Sequence, residues 1–420
     1  MLKSICVMGL GYIGLPTSAM FAEHGVQVTG VDPQQRIVDA LNRGEILIEE
    51  PGLPEMVKTN VAAGRLKGST TPVPADAFII AVPTPIYDDK TADMRYVRKA
   101  TEDIVPFLKK GDLIVLESTS PPRTVEDIMM PILVRTGLDP HKDLHVAHSP
   151  ETVFPGKVIQ ELTDNDRIVG GASPEATARA KELYEIFVKG RIHLTDATTA
   201  ETCKLVENTF RDVNIAFANE LARICEFLGV NAWEVIALSN SHPRVNILQP
   251  GPGVGGHCIA VDPWFLVEKA PSLAHLIRLS RETNDDMPRY TYARALDMLR
   301  PLDGKKKVAI FGATFKPDTD DIRESPIIYL VDLLREAGIE VSVYDPHAVL
   351  FEGKADSAED AVRDADLLIM GVAHTEFKTF DVAPLAKLMR NPVLFDTKNV
   401  VARETAKAAG FTYHLLGSAE

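Results

Sequence analysis

At 420 residues the chain is longer than a single hydrophobic core usually serves, so two or three domains are expected. Hydrophobic residues at 45% and charged residues at 25% match ordinary globular proteins and exclude collagen-like, disordered and membrane-embedded classes. The formal charge of -14 excludes nucleic acid and anionic membrane as partners, because both need a positive footprint. Four cysteines, Cys6, Cys203, Cys225 and Cys258, lie far apart with no C-x-x-C pair, so neither a disulfide framework nor a metal site is expected. No apolar run is long enough to span a bilayer and no signal-peptide pattern precedes the first strand-like run, which reads as a cytoplasmic protein.

The runs SICVMGLG, VQVTGVDP, AFIIAVPTP, DLIVLEST and LHVAHSPE alternate with amphipathic stretches, the rhythm of βα units in a parallel sheet. Ligands of such sheets bind beyond the carboxyl ends of the strands, which directs attention to Thr84, Thr119 and Glu151. Gly9, Gly11 and Gly14 form G-x-G-x-x-G around Tyr12 and Ile13, directly after a strand-like run and before a helical one. Asp32 closes the next strand, where a carboxylate accepts ribose hydroxyl hydrogens and repels a 2′-phosphate. The expected cofactor is therefore NAD rather than NADP, with Arg36 nearby as the one cation that favours the opposite choice.

From about Ala200 a long helical pattern runs to Gly229, with apolar Leu205, Phe210, Val213, Ala216, Phe217, Leu221 and Ile224. Lys204, Asn208 and Arg211 fall at i, i+4 and i+7 and share one face of it. After the Gly/Pro loop LQPGPGVGGHC, the runs KKVAIFGATF, IEVSVYDP and DADLLIMGVAH repeat the opening pattern in degenerate form. The repeat keeps Gly312 but lacks the three-glycine turn, so a different ligand is expected there. The expected fold is α/β, with two Rossmann-like doubly wound domains at 1–196 and 301–420 joined by a helical dimerisation domain at 197–300.

The motifs GLGYIGLP, VPTP, ESTSPP, SPETVFPG, KLVENTFRDVNIAFANE, HPRVN, PGPGVGGHCIAVDP, FKPDTDDIRESP and FDTKN occur in this order across nearly the whole chain. In these it resembles the UDP-sugar 6-dehydrogenases of the UDP-glucose/UDP-mannose dehydrogenase family. That resemblance implies four-electron oxidation of a sugar primary alcohol to a carboxylate, with NAD on the first domain and a UDP-sugar on the last. It also implies a homodimer in which Arg244, with His242 and Asn246 beside it, reaches the partner subunit's substrate.

A four-electron oxidation needs a nucleophile to hold the intermediate aldehyde for a second hydride transfer, and a thiolate does this through a thiohemiacetal and a thioester. Cys258 matches the family nucleophile and follows Gly255 and Gly256, whose missing side chains would let a substrate approach. The other three cysteines are expected to be small buried hydrophobes. The resemblance implies that Lys204 supports the developing oxyanion or transfers a proton, with Asn208 as its hydrogen-bonding partner. It sets Asp262 near that lysine and the hydrolytic water, makes Thr119 orient the water, and matches Glu151 to the family's first motif glutamate. It makes Thr152, Val153, Arg211, Gly255, Lys316 and Lys398 substrate contacts and Arg323 a contact to NAD.

The chain departs from UDP-glucose dehydrogenases at the segment SPETVFPG, where Phe154 and Pro155 replace an acid-bearing stretch. It departs again at Val261 and Lys398, which stand for Lys and Arg. Losing an acid and a cation around the sugar weakens UDP-glucose as the substrate, and the resemblance of the run HPRVNILQPGPGVGGHCIAVDPWF implies the acetamido-sugar branch and UDP-N-acetyl-D-mannosamine. UDP-N-acetylglucosamine and UDP-glucose are the alternatives, and a two-electron hydroxyacid dehydrogenase is a remoter one. Thr152, where that branch commonly has Arg, departs from it in turn.

Overall fold

The β-branched runs form two separate sheets in the computed structural model, which describes residues 2–48, 50–154, 156–348 and 351–419. Pro155 of the departing segment lies outside these residues. The chain divides into two compact units, one of residues 1–207 and 264–271 and one of 208–263 and 272–420.

In the first unit, β1 (Ser4–Met8), β2 (Gln27–Val31), β3 (Leu66–Ser69), β4 (Ala77–Ile80), β5 (Leu113–Leu116), β6 (His145–His148), β7 (Arg167–Gly171) and β8 (Ile192–Asp196) form one sheet. Their order is β3-β2-β1-β4-β5-β6-β7-β8, so the direction of winding reverses between β1 and β4. All neighbours are parallel except β6 and β7, which run antiparallel with Ala147 opposite Gly171 and His148 opposite Gly170. Every residue of β4 and β5 is buried, as expected of strands covered on both faces. One apolar cluster, containing Val7, Ile79 and Val115, packs on one face, and another, containing Cys6, Phe78 and Ile114, on the other.

The second unit repeats the plan with β9 (Lys307–Phe311), β10 (Glu340–Tyr344), β11 (Leu367–Met370), β12 (Val393–Asp396) and β13 (Thr412–Leu415). All its pairs are parallel, in the order β10-β9-β11-β12-β13. Sequence patterning identified β1, β2, β4, β5, β6, β9, β10 and β11. It did not single out β3, β7, β8, β12 or β13, which are short or interrupted by polar residues.

The long helix spans Ala197–Leu228, and Gly229 ends it at φ +77°, a left-handed conformation that glycine adopts without strain. Its inward side carries a buried polar chain to the helix His275–Leu299. Arg281 pairs with Asp212, both fully buried; Asn284 donates to the Asp212 carboxylate at 2.8 Å; and Asn219 donates to Asn284 at 2.8 Å. Asn219 in turn accepts from the Gly251 N–H at 2.9 Å, so the Gly/Pro loop hangs from the helix. On the outer side Phe210, Phe217 and Ile224, spaced by sevens, are 68%, 54% and 44% exposed.

The segment after β13 also closes onto this helix region. Gly417 donates its N–H to Glu226 at 2.7 Å, the Trp233 indole donates to the Leu416 carbonyl at 2.8 Å, and the Ala232 N–H to the Gly417 carbonyl at 2.7 Å. Among the described residues, no helix is long and apolar enough to cross a membrane.

Candidate active site

The glycine motif sits where β1 gives way to the helix Gly14–Glu23, at the point where the strand order reverses. A Cβ on Gly14 would lie 1.9 Å from the Gly9 carbonyl oxygen, so only glycine allows this turn to close. A Cβ on Gly11 would meet nothing within 4 Å, and the space beside the helix start is open. Ile13 caps the helix without a side-chain hydrogen bond, which leaves the first-turn amides for an anion. Asp32 accepts from the N–H groups of Leu10 at 3.2 Å and Gln34 at 2.9 Å, and its carboxylate retains acceptor capacity. This cradle fits a dinucleotide pyrophosphate and ribose. Tyr12 is 47% exposed beside it, and Arg36, also exposed, donates to Gln34 at 3.3 Å.

Thr84 and Thr119 lie at the ends of β4 and β5, where the Thr84 hydroxyl donates to the Thr119 carbonyl at 2.7 Å and joins the two loops. Glu151 follows β6. Its Oε1 accepts from the Thr152 N–H at 2.8 Å, and its Oε2 lies 2.8 Å from Arg167. The β6–β7 register explains the second contact. Residue numbers of opposed partners sum to a constant along an antiparallel pair, and extending the register beyond His148 sets Glu151 across from Arg167. Val153 packs against the apolar core, and Phe154 is 49% exposed.

Sequence reasoning missed Arg167, Glu117 and Tyr184, which stand behind Glu151. The detectable signal was Glu117, a carboxylate ending the otherwise apolar run LIVLE. Burial, together with the Glu151 charge and against the pull of Arg167, pushes the Glu117 carboxyl up to about 7. Lys204 is buried on the long helix, and burial raises the carboxyl of Glu207, one turn away, against the smaller opposing pull of the Lys204 charge.

In the second unit Asn208 donates to Asp262 at 2.6 Å. The Asp262 N–H donates to the Cys258 carbonyl at 2.8 Å, so thiol, aspartate and amide belong to one turn-and-helix arrangement. Cys258 is exposed, whereas Cys6 and Cys225 are buried and Cys203 is half-buried. Burial pushes the Cys6 thiol up to about 11, which makes it inert.

The glycines before Cys258 have a different cause from the one expected. A Cβ on Gly255 would lie 2.3 Å from the Glu324 carbonyl, and one on Gly256 would lie 2.9 Å from the Phe315 ring. Packing of the chain's own FKPDTDDIRESP loop, more than access for a ligand, requires them.

Lys316 in that loop is half-buried, and Arg323 forks onto Asp321 at 2.8 and 2.6 Å. Lys398 follows β12, with its ammonium 3.4 Å from the Pro250 carbonyl. Burial lowers its pKa from the ordinary lysine value, against the pull of Asp396, so a bound anion would be a favourable partner. Arg211, His242, Arg244 and Asn246 are exposed, with the Arg244 N–H donating to His242 at 3.3 Å.

Asp318, His347, His374 and Glu376 also gather, with potential ligand atoms within 4.8 Å of one another, a grouping that sequence spacing does not reveal. Both His374 nitrogens are already engaged, Nε2 by Asp345 at 3.1 Å and Nδ1 by the Asp318 N–H at 3.0 Å.

The geometry defines a dinucleotide-binding fold carrying a second Rossmann-like sheet, and comparison with known proteins makes it a dehydrogenase. Sequence profiles of the UDP-glucose/GDP-mannose dehydrogenase family match in chain order: its NAD binding domain at residues 3–188, its central domain at 198–286 and its UDP binding domain at 309–403. A UDP-N-acetyl-D-mannosamine dehydrogenase of Methanococcus maripaludis is 47% identical over 99% of this chain and 97% of its own. An NDP-N-acetyl-D-galactosaminuronic acid dehydrogenase of Ralstonia nicotianae is 48% identical over 95% and 96%. The solved UDP-N-acetyl-mannosamine dehydrogenase of S. aureus superposes with a TM-score of 0.91 at 46% identity, over 99% of both chains. The chain belongs to the UDP-glucose/GDP-mannose dehydrogenase family, and its cofactor is NAD.

Proposed function

We propose that the chain oxidises the C6 alcohol of UDP-N-acetyl-D-mannosamine to a carboxylate, consuming two NAD and one water and releasing two NADH and three protons. The observation that carries this reading is the Asn208–Asp262 hydrogen bond one turn from Cys258, in a chain whose relatives are named for this substrate. Bound NAD supplies the hydride acceptor; Gly9, Gly11, Tyr12, Ile13, Gly14, Asp32, Thr84 and Thr119 hold it, with Arg36 at the rim and Arg323 as a further contact.

The Cys258 thiolate adds to the C6 aldehyde and keeps it from leaving as a free product. Oxidation of that thiohemiacetal gives a thioester, which water cleaves to the acid and the thiol. Lys204 stabilises each tetrahedral oxyanion, with Asn208 and Asp262 fixing the surrounding hydrogen bonds. Thr119 and Glu151 orient the hydrolytic water, and Glu151 takes its proton. Lys316 and Lys398 hold the UDP phosphates, while Thr152, Val153, Arg211 and Gly255 contact the sugar. We retain 1–196, 197–300 and 301–420 as the functional domains.

A homodimer accompanies this reading, supported by the exposed Phe210, Phe217 and Ile224 and, on the helix His275–Leu299, by Leu276 and Leu279 at 66% and 58% exposure. Arg244, with His242 and Asn246, then serves the substrate of the other subunit.

The decisive assay measures acid and NADH with UDP-N-acetylmannosamine, UDP-N-acetylglucosamine, UDP-N-acetylgalactosamine and UDP-glucose. Two NADH per acid and a preference for the first sugar are expected, and Cys258→Ala should form no acid. Preference for the galacto sugar would instead support the activity in the name of the Ralstonia relative, and preference for UDP-glucose would defeat the acetamido-sugar reading.

A further inference from the structure

Glu151 is backed by a closed cluster of charge drawn from five parts of the first unit. Arg167, at the start of β7, directs all three of its nitrogen groups to partners. Nη1 lies 2.8 Å from Glu151 Oε2, Nη2 donates to Glu117 Oε1 at 3.1 Å, and Nε donates to the Ser149 hydroxyl at 2.8 Å. The Tyr184 ring lies under the guanidinium at 3.9 Å, and its hydroxyl donates to Glu117 Oε1 at 2.7 Å. Thr17, on the helix of the glycine motif, donates to Glu117 Oε2 at 3.3 Å. Side-chain exposures are 4% for Arg167, 0% for Glu117 and 7% for Glu151.

One guanidinium thus faces two carboxylates in a space nearly closed to water. Two like charges so placed disfavour joint ionisation, and the cation's field is divided between them. A parallel β7 would begin at the opposite end of the sheet from the Glu151 loop. Its reversal brings the first residue of the strand to the ligand end.

We propose that Glu117 is a positioning residue for Glu151, acting through Arg167: its hydrogen bonds fix the plane of the guanidinium, and its charge state sets how much of that cation's field Glu151 receives. The inference rests on the reading of Glu151 as the group that takes the proton of water. Burial and the Glu151 charge push Glu117 up to about 7, so it changes charge close to neutral pH. The ionisable groups facing it are Arg167 from β7, Glu151 from the loop after β6 and Tyr184 from the helix Pro174–Tyr184; Thr17 faces it as an uncharged donor. When Glu117 holds a proton, Arg167 serves Glu151 alone. When Glu117 is ionised, the two acids share the cation.

The test is the pH dependence of kcat and KM of the full chain with UDP-N-acetyl-D-mannosamine and saturating NAD. The parent is compared with Glu117→Gln, Tyr184→Phe and Glu151→Gln. In the parent the kcat profile should carry an inflection near pH 7, where Glu117 ionises and Arg167 becomes divided, and in Glu117→Gln that inflection should be absent, with both KM values within about twofold of the parent. Tyr184→Phe should move the inflection to higher pH, because the Glu117 carboxylate loses one donor and holds its proton more readily.

A Glu117→Gln profile that overlays the parent's overturns the proposal. If Glu117→Gln fails to fold, Tyr184→Phe decides: an inflection moved to higher pH supports the proposal and an unmoved one overturns it. Loss of activity in Glu151→Gln beside a Glu117→Gln profile that keeps the parent's inflection defeats only this inference. Full activity in Glu151→Gln defeats the underlying reading and this inference with it.

Discussion

Asp32 and Asp345 occupy the same topological place in the two sheets, at the carboxyl ends of β2 and β10, each beside the strand where winding reverses. Asp32 accepts from two backbone N–H groups. Asp345 accepts from four, those of Ala313, Thr314, His347 and Ala348, and from His374 as well. A carboxylate offers about four lone-pair sites, so Asp345 is filled by its own protein while Asp32 has capacity left for ribose hydroxyls. The same acid at the same position thus keeps free acceptor capacity in one unit and is a structural tie in the other. The number of amides that the neighbouring loops present decides which.

Asparagine at each position should separate the two roles most clearly. Asp345→Asn turns an amide toward donors that expect an anion and should cost the second unit about 3–5 kcal/mol, lowering its melting temperature by roughly 10 °C in calorimetry. A loss no greater than that of Asp32→Asn would break the comparison.

The units should also answer pH with opposite signs. Glu117 in the first unit has its folded pKa raised from 4.5 to about 7, so the folded state binds the proton more tightly. Its contribution is fully present below about 4.5 and is lost as pH rises through 7, by at most about 3 kcal/mol. Urea unfolding from pH 5 to 8 should show this decline in the parent and a flatter response in Glu117→Gln. Burial alone would raise Asp345, but His374 and the backbone amides outweigh it and hold the carboxyl well below the usual range. Its stabilisation is present above the unfolded value and is lost only as pH falls through the folded one.

Asp32→Asn should leave folding nearly intact and raise the KM for NAD by roughly ten- to a hundredfold, with discrimination against NADP reduced. The smallest effect expected is that of Gly11→Ala, about tenfold in the KM for NAD with an unchanged melting curve, since the new methyl enters open space. An unaltered KM would mean that the space beside the helix start is not where the pyrophosphate lies.

Much of this architecture was legible because its strands are buried on both faces and therefore read as continuous apolar runs. The repeat around KKVAIFG was visible for the same reason. Strands β3, β7 and β8 were not, since LKGS, RIVGG and IHLTD carry charge, glycine or exposed alternation. Missing β7 concealed its reversal, and with it the pairing of Arg167 with Glu151. Periodicity exposed the long helix and its end at Gly229, but hydropathy alone could not tell that Phe210 and Phe217 face outward while Leu205 and Ala216 face inward. The glycines beside Cys258 were recognised as necessary, but the neighbour that requires them, the FKPDTDDIRESP loop, lies far away in sequence and only the fold brings it there.

The latch between the residue after Leu416 and the long helix joins Gly417 to Glu226, 191 positions apart. Backbone groups of Gly417 and Leu416 also satisfy Ala232 and Trp233. On the ribosome, the helix end would emerge with these partners still unmade and would wait through most of a domain's worth of translation. The second unit therefore completes its fold only once β13 and the residues that follow it have been made, and a nascent chain stalled before β13 should expose Trp233 to solvent and to chaperones.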